Sequence, residues 1–490
     1  MAGTQYNRRG FLTTASIGAA SLALRPSAAR TQTVTTRRKK PNVLFIPVDD
    51  LRTQLGCYGH DRMISPNIDR LADDGTLFAR TYCQVPVCGA SRASLLSGIR
   101  PTRHRFIDYY TRADEDVPGA ETLPKLFRNN GYRTVSNGKV YHHRDDDITA
   151  WSEDPWRPRG GWKGRGYLSK ENQETAIAQG GLGPAYEKAD VPDNAYSDGM
   201  IADRTIADLN RLASGEKPFF LAAGFMKPHL PFNAPSRYWE LYRRDDIDLA
   251  DNPFRPEGAP DEALHNWVEL RRYHDIPQEG PLSDDMARTL VHGYYACVSY
   301  TDAQIGRVLN ELDRLGLRDN TIVALWGDHG WHLGEHGLWC KHCNFENVLH
   351  APLIVSAPGM RGGTRTDALT EFVDIYPSLA ELAGLKSPEH LQGSSFVPLM
   401  EQPGRAWKKA AFSRYFAGDS IRTDRYRYTE WTAENMPPGS ALETRFAARM
   451  LYDHDTDPQE NVNIAERPVN RETVERLSAM LKEGWKAVRI

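Results

Sequence analysis

Asn42-Val43-Leu44-Phe45-Ile46-Pro47-Val48 is an apolar run of strand length that ends in Asp49-Asp50, and its reading decides the fold. A strand apolar on both faces belongs inside a parallel sheet. The two acids then stand at its carboxyl edge, where open α/β sheets place their ligand sites. A second apolar run, Thr321–Trp326, leads in the same way into Gly327-Asp328-His329-Gly330. Further strands are expected at Tyr132–Ser136, Phe219–Gly224 and Leu353–Ala357, and a long helix at Met286–Leu315. Ser65-Pro66 reads as a capping serine with proline at the first position of a short helix closed by Gly75. Strands alternating with helices in this way predict an α/β fold, a mostly parallel central sheet flanked by helices.

Beyond Gly393 the pattern changes to short strands such as Ser420–Trp431 and Met450–Tyr452, which predict a smaller antiparallel C-terminal domain. Two segments, Thr149 to Gly215 and Pro235 to Gln278, are rich in Trp, Pro, Gly and charge without period. They are expected to be long excursions over the site face, where specificity is built.

The 490 residues, 40% hydrophobic and 26% charged, suffice for a large core and two domains. At the N-terminus, Asn7-Arg8-Arg9-Gly10-Phe11-Leu12 resembles the twin-arginine motif, and an apolar stretch to Leu24 leads to the small-residue pattern Ser27-Ala28-Ala29. That stretch is too short to span a bilayer. The expected organisation is a signal peptide over 1–29, a basic linker over 30–40, a catalytic domain over 41–390 and an α+β subdomain over 391–490. Localisation would then be periplasmic or extracellular, with the twin-arginine translocase as a partner. Loss of Arg8, Arg9 and Arg25 leaves 58 basic against 64 acidic residues, a mature net charge of −6. This acidic balance argues against nucleic acid as substrate, since phosphate binding demands a basic face. The six cysteines are scattered and do not form a small disulfide framework. Cys340-Lys341-His342-Cys343 has C-x-x-C spacing, but no second such pair completes a zinc site.

Cys88-Gly89-Ala90-Ser91-Arg92-Ala93-Ser94-Leu95-Leu96-Ser97-Gly98 carries the functional reading. Ser91 to Ser97 reads as helix, which puts Cys88 and Gly89 at a helix N-terminus where an anion is favoured. Arg92, one turn in, is placed to point back at residue 88 and at a neighbouring carboxylate or sulfate. A lone cysteine would more often be a core residue; the whole run is what distinguishes this one. Asp49-Asp50 and Asp328-His329 together offer hard oxygen and nitrogen ligands for one divalent cation, although a strand-end acid also serves as a turn cap. Basic groups follow three further segments: Lys139 with His142, Lys227 with His229, and Lys341.

The Cys88 run resembles the type I sulfatase signature, C-x-(P/A)-x-R followed by an apolar turn and (S/T)-G. Val48-Asp49-Asp50-Leu51-Arg52, Gly138-Lys139-Val140-Tyr141-His142, Lys227-Pro228-His229-Leu230-Pro231-Phe232 and Gly327-Asp328-His329-Gly330-Trp331 are similar to the iduronate-2-sulfatase-like branch of that family, within the alkaline phosphatase superfamily. The resemblance runs from about residue 41 to the end of the chain. It implies an alkaline-phosphatase-like fold and a sulfuric ester hydrolase acting on sulfated carbohydrate, as a 2-O-sulfatase of a uronic acid or related sugar. Residue 88 would be oxidised by a formylglycine-generating maturase, giving a hydrated aldehyde with one hydroxyl to attack sulfur and a second to expel sulfate. One calcium ion would be held by Asp49, Asp50, Asp328, His329 and the modified Cys88. Arg92 and Lys139 would support the hydrate and His142 would take its second proton. Lys227, His229 and Lys341 would surround the ester, with His229 as general acid. Ala90 departs from the commoner proline and makes maturation depend on the host's maturase. Two other readings stand beside this one: a phosphatase or phosphonate monoester hydrolase of the same superfamily, and a non-catalytic protein that binds sulfated glycans.

Overall fold

The computed structural model describes residues 40–158, 166–180, 182–438 and 448–488. The expected signal peptide and nearly all of the basic linker lie outside the described residues. Seven strands, β1 (Asn42–Val48), β2 (Thr76–Tyr82), β3 (Arg133–Gly138), β4 (Phe219–Gly224), β5 (Thr321–Gly327), β6 (Leu353–Ser356) and β7 (Thr364–Glu371), form one sheet in the order β7-β2-β6-β5-β1-β4-β3. β1 lies between β5 and β4 and is parallel to both. All residues of β1, β4 and β5 are buried, which is why their sequences are unbroken apolar runs. The exception to parallel order is β6, antiparallel to β5 and to β2.

Register positions the site. β1 and β5 pair residue for residue, from Asn42 opposite Thr321 to Val48 opposite Gly327. Asp49 and Asp328 therefore leave the sheet side by side. The backbone continues the pairing one step further: Asp328 N–H donates to Val48 O at 3.2 Å, and Asp49 N–H to Phe225 O at 3.2 Å.

Three details differ from the expectations above. The helix Pro66–Asp73 does begin with proline, but Ser65 provides no side-chain cap. Asp302, on the long helix Asp284–Arg314, accepts from Asn67 N–H and Ile68 N–H instead, at 3.0 and 2.7 Å. A carboxylate brought in by tertiary packing thus replaces the local cap. Second, the edge strands β2 and β7 read TLFARTY and TRTDALTE, mixed sequences that give no apolar run. Third, Ser420–Trp431 is a hairpin. Gly418–Thr423 and Tyr426–Trp431 pair antiparallel around Asp424-Arg425, with Ser420 opposite Thr429.

That hairpin belongs to a four-stranded antiparallel sheet made with Ala410–Tyr415 and Ala448–Asp453. The helix Arg471–Glu483 covers it with Val474 and Leu477, while Ala411, Trp431, Met450 and Tyr452 join the main core. A buried ionic knot links the two sheets: Lys408 Nζ lies 2.7 Å from Glu371 and 2.6 Å from Asp374, and Arg100 clasps Glu371 at 2.6 Å. The six cysteines are free thiols. Among the described residues no helix is long and apolar enough to cross a membrane.

Candidate active site

Cys88 opens the helix Cys88–Ser97, whose first turn carries no side-chain cap. Its first-turn N–H groups and dipole face the carboxyl ends of β1 and β5. Ser91 Oγ fastens the helix there by donating to Asp328 O at 2.6 Å. Cys88 Sγ lies 3.3 Å from His329 Nε2 and 3.7 Å from Asp50 Oδ1. The ligand atoms of Asp50, Cys88, Asp328 and His329 all fall within 4.8 Å of one another, as do those of Asp49, Asp50, Cys88 and His229. The five residues expected at the metal centre are therefore together, at the junction of three elements that their sequences identified.

Three cations meet the three aspartates. Arg92 is fully buried and reaches Asp328 Oδ2 at 2.9 Å and Asp49 Oδ1 at 3.0 Å, while also donating to the carbonyls of Lys139 and Val140. Lys139 Nζ lies 2.5 Å from Asp49 Oδ2, and Lys341 Nζ 3.0 Å from Asp50 Oδ1. Burial alone would raise the Asp49 and Asp328 carboxyls; the cations facing them outweigh it and hold both below the usual range. At Asp50 burial wins over Lys341, pushing the carboxyl up to about 7. Burial, then the Asp49 charge, also pushes the Cys88 thiol well above its ordinary value, so an unmodified Cys88 is a poor source of thiolate.

His229 adds a partner that the sequence did not reveal. Its Nδ1 faces Leu230 O at 2.7 Å and its Nε2 faces Glu269 Oε1 at 3.0 Å. Glu269 also reaches Lys341 Nζ at 3.1 Å. Burial and the Lys341 charge push the imidazole down, to about 4, against the pull of Glu269, yet an Nε2 lone pair held against a carboxylate oxygen is unstable. Glu269 Oε1 is thus placed to accept a hydrogen bond from Nε2 whenever the ring carries a proton there. Glu269 comes from the excursion at 235–278, whose lack of periodicity hid it.

Two expected residues are placed differently from the rest. Lys227 Nζ, expected to surround the ester, donates to the carbonyls of His229 and Pro231 at 2.8 and 2.5 Å and so braces the turn that carries His229. His142 is half-buried beside Lys139, with no hydrogen-bond partner for its Nδ1 among the described residues. Burial, then Lys139, holds its pKa well below the ordinary value, leaving a neutral base.

Residues 41–385 match the sulfatase family, and residues 334–487 match the C-terminal region of N-sulphoglucosamine sulphohydrolase. Iduronate 2-sulfatase of Homo sapiens is 34% identical over 86% of this chain and 90% of its own length. The chain belongs to the sulfatase family. Among solved structures, a protein in complex with its substrate D-glucosamine-2-N,6-O-disulfate superposes on this sulfatase with a TM-score of 0.72 at 24% identity, covering 91% of this chain and 98% of that one. The phosphonate monoester hydrolase of Agrobacterium radiobacter gives 0.74 at 22% identity, covering 90% and 95%. At these identities the likeness is one of fold.

The donor set of the sulfatase fits a divalent cation. His329 Nδ1 faces Gly330 O at 3.0 Å, which assigns the proton to Nδ1 and leaves the Nε2 lone pair aimed into the cluster. That lone pair stands 3.5 Å from Asp50 Oδ1 and 3.7 Å from Asp328 Oδ1, so three ligand atoms converge where a cation would be held. The three aspartates are already paired with Arg92, Lys139 and Lys341. A divalent ion would make the pocket net positive, the sign that an anionic sulfate ester needs.

Proposed function

We propose that this sulfatase removes a 2-O-sulfate from a uronic acid or related sugar of a sulfated glycosaminoglycan-type carbohydrate, with Cys88 matured to formylglycine and one calcium ion held by Asp49, Asp50, Asp328, His329 and residue 88. The observation that carries it is the position of Cys88: at a helix N-terminus, against the ligand cluster, with Lys341 and His229 alongside. A formylglycine hydrate supplies a nucleophilic hydroxyl and a second hydroxyl for release of sulfate, and the calcium ion supplies positive charge beside them.

The chain's own residues do the rest. Arg92 and Lys139 hold the aspartates in one arrangement and add fixed positive charge behind the sulfuryl group. Lys341 stays charged because Asp50 and Glu269 outweigh its burial, and it faces the oxygens on which negative charge grows. His229 gives the Nε2 proton to the bridging oxygen as the alcohol leaves. His142, neutral with an unpartnered Nδ1, accepts a proton at residue 88. The twin-arginine motif supports export after maturation in the cytoplasm.

The test is turnover of a panel comprising nitrophenyl sulfate, a phosphate diester, and N-, 6-O- and 2-O-sulfated disaccharides, read as free sulfate or phosphate. The expected result is preference for the 2-O-sulfated uronate. Preference for the phosphate diester would replace the reading by a phosphonate monoester hydrolase-like one, and binding of the sugars without turnover would make the protein a glycan-binding one.

A further inference from the structure

Tyr109 and Tyr110 are 47% and 67% exposed, while Cys88 beneath them keeps 3% of its surface. Scattered exposed aromatics are ordinary; this pair is built. Sequence neighbours in extended chain point to opposite sides, yet these rings lie 4.1 Å apart, tilted by 36°, with the Tyr109 hydroxyl donating to that of Tyr110 at 2.7 Å. A turn holds them so. Asp108 Oδ1 accepts from Tyr110 N–H at 2.8 Å, and Thr111 Oγ1 accepts from Ile107 N–H and Asp108 N–H at 3.2 and 3.3 Å.

The pair stands at the rim of the reactive pocket. A Cβ placed on Gly89 would lie 2.8 Å from Tyr109 O and 2.9 Å from Tyr109 Cα, so the Tyr109 backbone lies directly on the first turn of the Cys88 helix. His143 Nε2 fixes the same carbonyl at 3.1 Å, and the Tyr109 ring is 6.3 Å from that of His142. Arg272, exposed, caps the C-terminus of the short helix Val268–Arg271, which brings Glu269 to His229 in the same pocket, and its charge acts on the Tyr109 hydroxyl. In the function proposed above, a sugar whose sulfate reaches residue 88 passes this rim.

We propose that Tyr109, Tyr110 and Arg272 form the subsite for the sugar adjoining the sulfated residue, a pyranose bearing a carboxylate or sulfate. This rests on the function proposed above. Tyrosine rings offer apolar area to the C–H face of a sugar and polar tips to its hydroxyls, at low entropic cost. The guanidinium of Arg272 matches the paired oxygens of the anionic substituent.

The experiment compares sulfate release from a 2-O-sulfated uronate monosaccharide with release from heparin-derived 2-O-sulfated disaccharide and tetrasaccharide. In a Tyr109→Ala/Tyr110→Ala double variant, the ratio of kcat/KM for disaccharide to that for monosaccharide should fall about tenfold, through KM rather than kcat, as loss of a stacked contact predicts. Arg272→Ala should lower the same ratio, and Tyr109→Phe/Tyr110→Phe, which keeps the rings, should hold it within about twofold. An alanine variant with the wild-type Tm and an unchanged ratio would overturn the subsite. Should the wild type release sulfate from none of these sugars, the proposed function fails, and calorimetric binding of the disaccharide then decides the subsite separately: weaker binding by the alanine variant upholds it, and equal binding overturns it.

Discussion

In the proposed mechanism the proton that a departing alkoxide needs comes from Nε2 of His229, which lies 3.0 Å from Oε1 of Glu269. An alkyl alcohol leaves poorly without it, whereas nitrophenolate leaves unaided. His229→Ala should thus lose roughly 10²–10⁴-fold on a sulfated sugar and much less on nitrophenyl sulfate. Glu269→Gln presents an amide that donates to Nε2, so the ring no longer carries the proton there. The same selective loss is expected, of about tenfold or more. Equal losses on both substrates would make these residues sulfate-binding or structural groups. His142→Ala, which in the proposed mechanism blocks release of sulfate from residue 88, should impair both substrates alike. Asp49, Asp50, Asp328 and His329 were legible because unbroken apolar runs delivered them to strand ends, and Cys88 because its helix could be read. Glu269 was not legible: nothing in Trp267-Val268-Glu269-Leu270 says that a three-dimensional excursion returns it to His229. The bracing bonds of Lys227 were equally invisible, since they go to backbone carbonyls that only the folded turn presents.

Strand ends set the reach of these side chains. Gly138 ends β3 with φ +73°, and a Cβ there would fall 2.0 Å from Gly224 O; one on Gly224 would fall 2.2 Å from Lys139 O. The two backbones touch where Lys139 turns toward Asp49, so Gly138→Ala should cost about 3 kcal/mol or more and lower activity by displacing Lys139. Urea unfolding gives the check, and a cost below about 1 kcal/mol would contradict the close approach. Interior strands were readable for the reason that makes them stable, burial on both faces. The edge strands β2 and β7 were not, because their polar positions are met by partners distant in sequence, as in Thr76 with Thr364 and Thr81 with Thr370, each at 2.7 Å. The hairpin of the second sheet read as one strand because its turn, Asp424-Arg425, contains neither Gly nor Pro to mark it.

At the scale of the whole molecule, the Arg100–Glu371–Lys408–Asp374 knot ties the two sheets together. Burial would raise Glu371, but Arg100 and Lys408 hold it down at about 2. Its contribution is therefore present above the ordinary carboxyl value near 4.5 and is lost as pH falls toward 2. Lys408→Met should cost about 3–5 kcal/mol at neutral pH by leaving buried charge unpaired, with a penalty that shrinks on acidification; a pH-independent penalty would contradict this. Because protein cations already balance Asp49, Asp50 and Asp328, chelation should abolish turnover while lowering Tm only modestly. Full activity after exhaustive chelation, with no metal by elemental analysis, would remove the cation from the account. Burial of Cys88 adds an order of events. In the proposed maturation, an enzyme could not reach a residue with 3% of its surface exposed, so oxidation of residue 88 would precede folding and, with it, the proposed twin-arginine export of folded protein. The most direct measurement is therefore the mass of the peptide containing residue 88, taken from cytoplasmic precursor and from exported protein that releases sulfate. Aldehyde at residue 88 in both is the predicted result, and thiol alone in a fully active preparation would contradict it.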